Sequence, residues 1–187
     1  MKAATLVVSV VSCWCSAGYA GTIYYTFTGS ATGDYNGTPL NTTPFTIVLT
    51  GDTGARTGSG PAYQLTATAA TVGVDGFPTA DFSDTMSVYV NGLFTLNSSA
   101  KGSLFEGTGP ADLISPGGPY GFGLFSHAGQ TQFNSVATTG GLLTFSSLAG
   151  GAMTVSLGTT GIPEPSTSVL TIGALLGLSL LGKLRLR

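Results

Sequence analysis

The sequence predicts an all-β protein: a single antiparallel β-sandwich or jelly-roll-like domain, between an N-terminal signal peptide and a C-terminal transmembrane helix. Three observations predict it. Apolar residues alternate with Thr, Ser and Tyr in short runs, the period of a strand with one buried face. The 29 glycines, with Pro, Asp and Asn, punctuate those runs as turn residues do. Sustained apolar stretches stand only near the two ends.

Residues 1–20 read as a secretory signal peptide. Met1-Lys2 supplies the positive start, Leu6 to Ala17 the apolar core, and Gly18-Tyr19-Ala20 a small-residue end before Gly21. Cleavage is expected between Ala20 and Gly21, with Ala17 as an alternative, and export through the Sec machinery follows. Val10-Val11-Ser12-Cys13 has the form of a lipobox, but the apolar core before it is very short.

Residues 21–160 form the expected ectodomain. Ile23, Tyr25 and Phe27 alternate with Tyr24, Thr26 and Thr28, and Phe45, Ile47 and Leu49 with Thr46, Val48 and Thr50. Tyr63, Leu65, Ala67 and Ala69 keep the same period, as do Met86, Val88 and Val90. Asn91-Gly92 then precedes Leu93 to Leu96, and Asn-Gly between two such runs signals a hairpin. Later candidates are Tyr120 to Ser126, Gln132 to Ala137, Leu142 to Ser147 and Ala152 to Leu157. About eight to ten strands are thus expected, with Ile23, Tyr25, Phe27, Phe45, Ile47, Leu49, Val88 and Val90 in the core. Residues 51–61 and 107–119 read as loops, the second as the more mobile.

Residues 161–187 have three parts in a fixed order. Pro163-Glu164-Pro165 is stiff and extended, because both prolines hold φ near −65° and lack a donor. Such a peptide suits a recognition cleft. Ser166 and Thr167 are capping residues for the helix expected over about 167–184. Ser166 to Gly182 is 17 residues, roughly 25 Å of helix, which Leu184 and Leu186 lengthen toward a full span. Lys183, Arg185 and Arg187 close the chain within residues 183–187 and favour retention on the cytoplasmic side. Ile162-Pro163-Glu164-Pro165-Ser166-Thr167, the leucine-rich helix and the basic tail together resemble the PEP-CTERM sorting signal of Gram-negative bacterial surface proteins. The resemblance covers about the last 25 residues and leaves the ectodomain unassigned. It implies processing by an exosortase, a membrane cysteine protease or transpeptidase, with residues 162–167 as its motif. The same C-terminal segment also carries the label of an ice-binding protein C-terminal domain, which describes a sorting signal. The leucines between the basic residues depart from the denser arginine cluster usual in the family.

Composition bounds the rest. Cys13 and Cys15 are the two cysteines, and both lie in the signal peptide, so the mature domain is expected to fold on its apolar core alone. Arg56 and Lys101 stand against Asp34, Asp52, Asp75, Asp81, Asp84, Glu106 and Asp112, a balance that disfavours nucleic acid as a partner. His127 is the single histidine, and no G-x-S-x-G nucleophile motif occurs. Catalytic zinc usually needs several His or Cys ligands, and nothing selects a glycosidase carboxylate pair. No metal, no cofactor and no enzymatic activity are therefore expected. Asp34-Tyr35-Asn36-Gly37 and the group Asp75, Asp81 and Asp84 read as solvated turns rather than calcium loops, since the EF-hand spacing is absent.

The expected function is that of an exported, non-enzymatic cell-surface or extracellular-matrix protein. It is anchored first in the inner membrane and then cut free near Pro163-Glu164-Pro165. The alternative is a module that binds exopolysaccharide through exposed tyrosines, with Tyr24, Tyr35, Tyr89 and Tyr120 as candidates. Several tyrosines on one sheet face, with carboxylates nearby, separate the two.

Overall fold

The computed structural model describes residues 21–127, 130–131, 133 and 135–158. Their strands are β1 (Thr22–Tyr35), β2 (Thr38–Asp52), β3 (Thr57–Ser59), β4 (Ala62–Thr66), β5 (Ala69–Val74), β6 (Ala80–Asp81) and β7 (Met86–Asn91). There follow β8 (Leu93–Ser98), β9 (Gly102–Gly107), β10 (Gly117–Leu124), β11 (Ser126–His127), β12 (Gln130–Thr131), β13 (Val136–Thr138) and β14 (Gly141–Leu157). A single 3-10 turn, Thr53–Ala55, is the one helical element among the described residues. The fold is all-β and antiparallel. Its strands number 14 rather than eight to ten, because several segments of two or three residues are individually paired.

One sheet, rather than two separate ones, carries the core. Its order is β3-β4-β7-β8-β9-β10-β14-β1-β2-β5-β6, with β13 added against β14; β11 and β12 pair apart. The sheet curls into a half-barrel. One wall is β14-β1-β2-β5 and the facing wall β4-β7-β8-β9, with β10 as the bend. Rings meet across the gap: Phe27 lies 5.9 Å from Phe94 and from Phe105, and Phe45 lies 6.1 Å from Phe105. Phe122 on β10 closes the corner, edge-on to Phe27 at 5.4 Å. Aromatic side chains carry the largest apolar area per residue, which suits a core without a disulfide. All eight residues expected in the core are buried.

The long strands differ from the sequence reading. β1 runs on through residues 28–35, with Ala31 and Tyr35 on the same buried face as Phe27. The intervening inward positions are Gly29 and Gly33, which have no side chain, so the alternation disappears from the sequence while the strand continues. Gly33 is required sterically, since a Cβ there would lie 1.9 Å from the Thr144 carbonyl oxygen. Asn36 and Gly37, at φ 51° and 82°, form the two-residue turn into β2, and Asp34 Oδ1 accepts from the Gly37 N–H at 2.7 Å. The region of Asp34 to Gly37 is thus a hairpin tip. In β2 the inward parity changes between Leu40 and Phe45, where the register against β1 shifts and Thr42 has φ 53°. Such bulges bend a strand and increase its twist, which a curled sheet needs.

Three further readings are corrected. Leu142 to Ser147 and Ala152 to Leu157 belong to one 17-residue strand, β14, whose register against β1 slips between Thr28 and Ser30. Tyr63 to Ala69 is divided by a corner: β4 pairs β7, whereas β5 pairs β2 on the opposite wall. Tyr35 is buried, donating or accepting at Thr138 Oγ1 and packing edge-on to Phe77 at 5.0 Å. On β9, Leu104 and Phe105 are both fully buried although adjacent. Leu96 pairs Phe105 and Asn97 pairs Ser103, so Leu104 is a bulge residue and both side chains reach the core.

Candidate functional site

Most of the sorting residues lie outside the described residues: Ala20, Pro163, Glu164, Pro165, Ser166, Thr167, Lys183, Arg185 and Arg187. The segments expected to be a signal peptide and a C-terminal transmembrane helix lie outside them too. Gly21, the expected first residue after cleavage, is described. Its N–H donates to Thr53 Oγ1 and its carbonyl accepts from the Thr53 N–H, both at 2.9 Å. Beside it, Ile23 pairs Leu157, and the Gly158 N–H donates to the Thr22 carbonyl at 2.7 Å. The first and last described residues therefore emerge side by side from the middle of the sheet. β1 and β14 share most of their length, so neither end is a loose edge.

The tyrosines do not line one face. Tyr24 is on the outer side of β1, between Thr50 and Ser156, and Tyr89 on the outer side of β7, between Gln64 and Thr95. Five strand steps separate β7 from β1, roughly 24 Å along the sheet. Tyr63 and Tyr120 pack against the core, and Tyr35 is inside it. Around Tyr89 lies a shallow polar groove of about 310 Å³, lined by Gln64, Thr66, Ser87 and Asn97.

The aspartates mainly order turns. Asp52 caps the 3-10 turn through the Gly54 N–H at 2.8 Å, and Asp84 accepts from Ser98 Oγ at 2.7 Å. Among the described residues no three His, Cys, Asp or Glu side chains are grouped as metal ligands. His127 ends the short strand β11 and pairs Gln130.

A second recess lies at one end of the half-barrel, and the sequence reading did not find it. Three connections converge there: the β3–β4 link at Gly60 and Pro61, the β7–β8 tip at Gly92, and residues 108–116 at Gly109, Ala111 and Asp112. Tyr63 and Val90, paired across β4 and β7, complete a cavity of about 410 Å³. Arg56 stacks over the Tyr63 ring at 4.4 Å and donates through Nη1 to the Asp112 carbonyl at 2.8 Å. Such stacking holds the guanidinium in place.

Residues 108–116, expected to be the mobile loop, are tied down. Leu113 is fully buried at φ 64°, and its carbonyl accepts from the Tyr25 hydroxyl. Burial, with the nearby Asp112 charge, pushes the Tyr25 phenol far above its usual range, and Arg56 partly opposes the shift. The hydroxyl stays protonated, as a donor must. The Asp112 carboxylate accepts from the Ile114 N–H at 3.2 Å, the Ser115 N–H at 3.0 Å and Ser115 Oγ at 2.8 Å. Burial alone would raise its pKa, but these bonds together hold it below the usual aspartate value. Only Arg56 and Asp112 carried a sequence signal, as two charges in a stretch rich in glycine. Their proximity arises from a link that joins β2 to β3 and a loop more than fifty positions later.

Comparison with protein-family models, with curated proteins and with solved structures finds no match for this chain.

Proposed function

We propose that the chain is an exported, non-enzymatic cell-surface or extracellular-matrix protein. A C-terminal signal first anchors it in the inner membrane, and an exosortase-type membrane enzyme then releases it to the surface. One observation carries the reading: the order of motif, apolar run and basic stop over residues 162–187. Lys183, Arg185 and Arg187 in the cytoplasm put Pro163-Glu164-Pro165 at the outer face. Cutting there severs the helix, the strong anchor, from the domain.

Among the described residues the sheet runs from Thr22 to Leu157, between the two expected cuts. The non-enzymatic part rests on composition: a single histidine, no mature cysteine and no nucleophile motif. The all-β class is as expected, but one curled sheet stands in place of the two-sheet sandwich.

Replacing Pro163-Glu164-Pro165 by three alanines tests the reading. The variant is expected to remain uncleaved in the membrane fraction, while the parent is released with a C-terminus near residue 163, read by mass spectrometry. Export and trimming of the variant as efficient as the parent's overturns the proposal.

A further inference from the structure

We infer that the recess between Tyr63, Val90 and Asp112 binds one pyranose unit of a neutral polysaccharide. Its volume, about 410 Å³, falls in the range of ~300–1,000 Å³ typical of small-ligand sites. It is built from three connections held on a rigid sheet, the usual place for a binding site. The Tyr25 hydroxyl bond to Leu113 and the Arg56 bond to Asp112 brace the mobile-looking segment, so the site is formed before any ligand arrives.

The chemistry of the lining selects the ligand. Tyr63, Pro61 and Val90 give an apolar wall, which suits the C–H face of a sugar ring. Arg56 stands behind this lining, and its Nη1 bond to the Asp112 carbonyl holds Asp112 in place. Asp112 Oδ2 takes a single bond, from Ser115 Oγ, and an ionised carboxylate oxygen has room for another. An acceptor at the edge of an apolar wall matches a sugar ring, whose hydroxyl donates to the carboxylate while its C–H face lies on the wall. At the rim a Cβ at Gly92 would meet nothing within 4 Å, whereas one at Gly109 would lie 2.8 Å from Phe94, so glycine there lets the segment pack close to the core. Charge then decides between sugars. The Asp112 carboxylate is the charged group that lines the recess, and the ectodomain is acidic. A uronate would place a second carboxylate against Asp112, and like charges disfavour one another.

This inference concerns the β domain alone and does not rest on the processing reading. Its failure would show as lost sugar binding with normal release, and the failure of the other as the reverse.

The full-length chain, in a zwitterionic detergent without a sugar headgroup, is titrated calorimetrically with laminarihexaose, cellohexaose and mannohexaose. Oligogalacturonate of the same length is the acidic counterpart. At least one neutral hexasaccharide is expected to bind, and to bind better than the uronate. Ala111→Trp fills the recess without touching the Arg56 brace; it should weaken binding at least about tenfold, roughly one step on the affinity scale, with the melting temperature unchanged. Arg56→Gln should weaken it similarly. Three results overturn the inference: no binding of any neutral probe at millimolar concentration, equal or tighter binding of oligogalacturonate, or binding unaffected by Ala111→Trp in a folded protein.

Discussion

The two walls of the half-barrel are made of the same residue types but organised differently. β14, β1 and β2 are 17, 14 and 15 residues long, and they pair along nearly their whole length. On the facing wall β4, β7, β8 and β9 have five or six residues each. Long strands need few connections, so the first wall offers little besides a Thr-rich outer surface. Short strands bring turns close together, and the recess stands where three of them meet. The first wall also holds the first and last described residues.

The sharpest way to break this division is to remove a ring that belongs to both walls. Phe105 on β9 touches Phe27, Phe45, Phe122 and Phe133 at 4.7–6.1 Å and is fully buried. Phe105→Ala should cost ~3–5 kcal/mol and lower the melting temperature by about 10–15 °C. A drop no larger than that of an exposed substitution would mean that the walls do not depend on one another.

Tyr25→Phe probes the single tie from the long wall to the recess loop. It leaves the Leu113 carbonyl without its donor, a loss of ~1–3 kcal/mol. Hydrogen exchange should rise in residues 108–116 and stay unchanged at Phe94 and Phe105. Equal change in both places would show that the loop is no separate unit.

The two Asn-Gly tips compare the walls directly. Gly37 and Gly92 sit at φ 82° and 81°, and a Cβ at either meets nothing within 4 Å. Ala at each should therefore cost the same, ~1–2 kcal/mol, all of it backbone strain. A much larger cost at Gly37, measured by chemical denaturation, would point to the long hairpin as the dominant unit.

The smallest effect concerns pH. The Asp112 carboxylate is held below its usual pKa, so its contribution is present above the unfolded value and is lost as pH falls through the folded one. Asp112→Asn should flatten the stability profile below about pH 4, lowering stability slightly at neutral pH and leaving acid pH little changed. A profile that steepens instead would contradict the hydrogen-bond assignment.

Much of the fold was legible because alternation survives wherever a strand carries side chains on its buried face. Ile23 to Phe27, Phe45 to Leu49 and Met86 to Val90 announce themselves in this way. β1 beyond Phe27 was hidden by Gly29 and Gly33, and the division of Tyr63 to Ala69 by a corner that keeps the same period. Asn91-Gly92 was read as a hairpin from its neighbours, while the identical Asn36-Gly37 was read only as a solvated turn, because glycine had erased the strand before it. The recess was not legible at all, since Arg56, Gly92 and Asp112 come together only when the sheet curls.

The sequence by itself determined the strand-forming period, the core residues and the tripartite C-terminal segment, because each is written in residues close along the chain. The tertiary structure decided that one sheet curls rather than two stacking, that Tyr35 turns inward, and that Arg56 meets Tyr63 and Asp112. Those outcomes depend on register, bulges and crossings between distant strands, where the position of one side chain is set by backbone that local pattern does not describe.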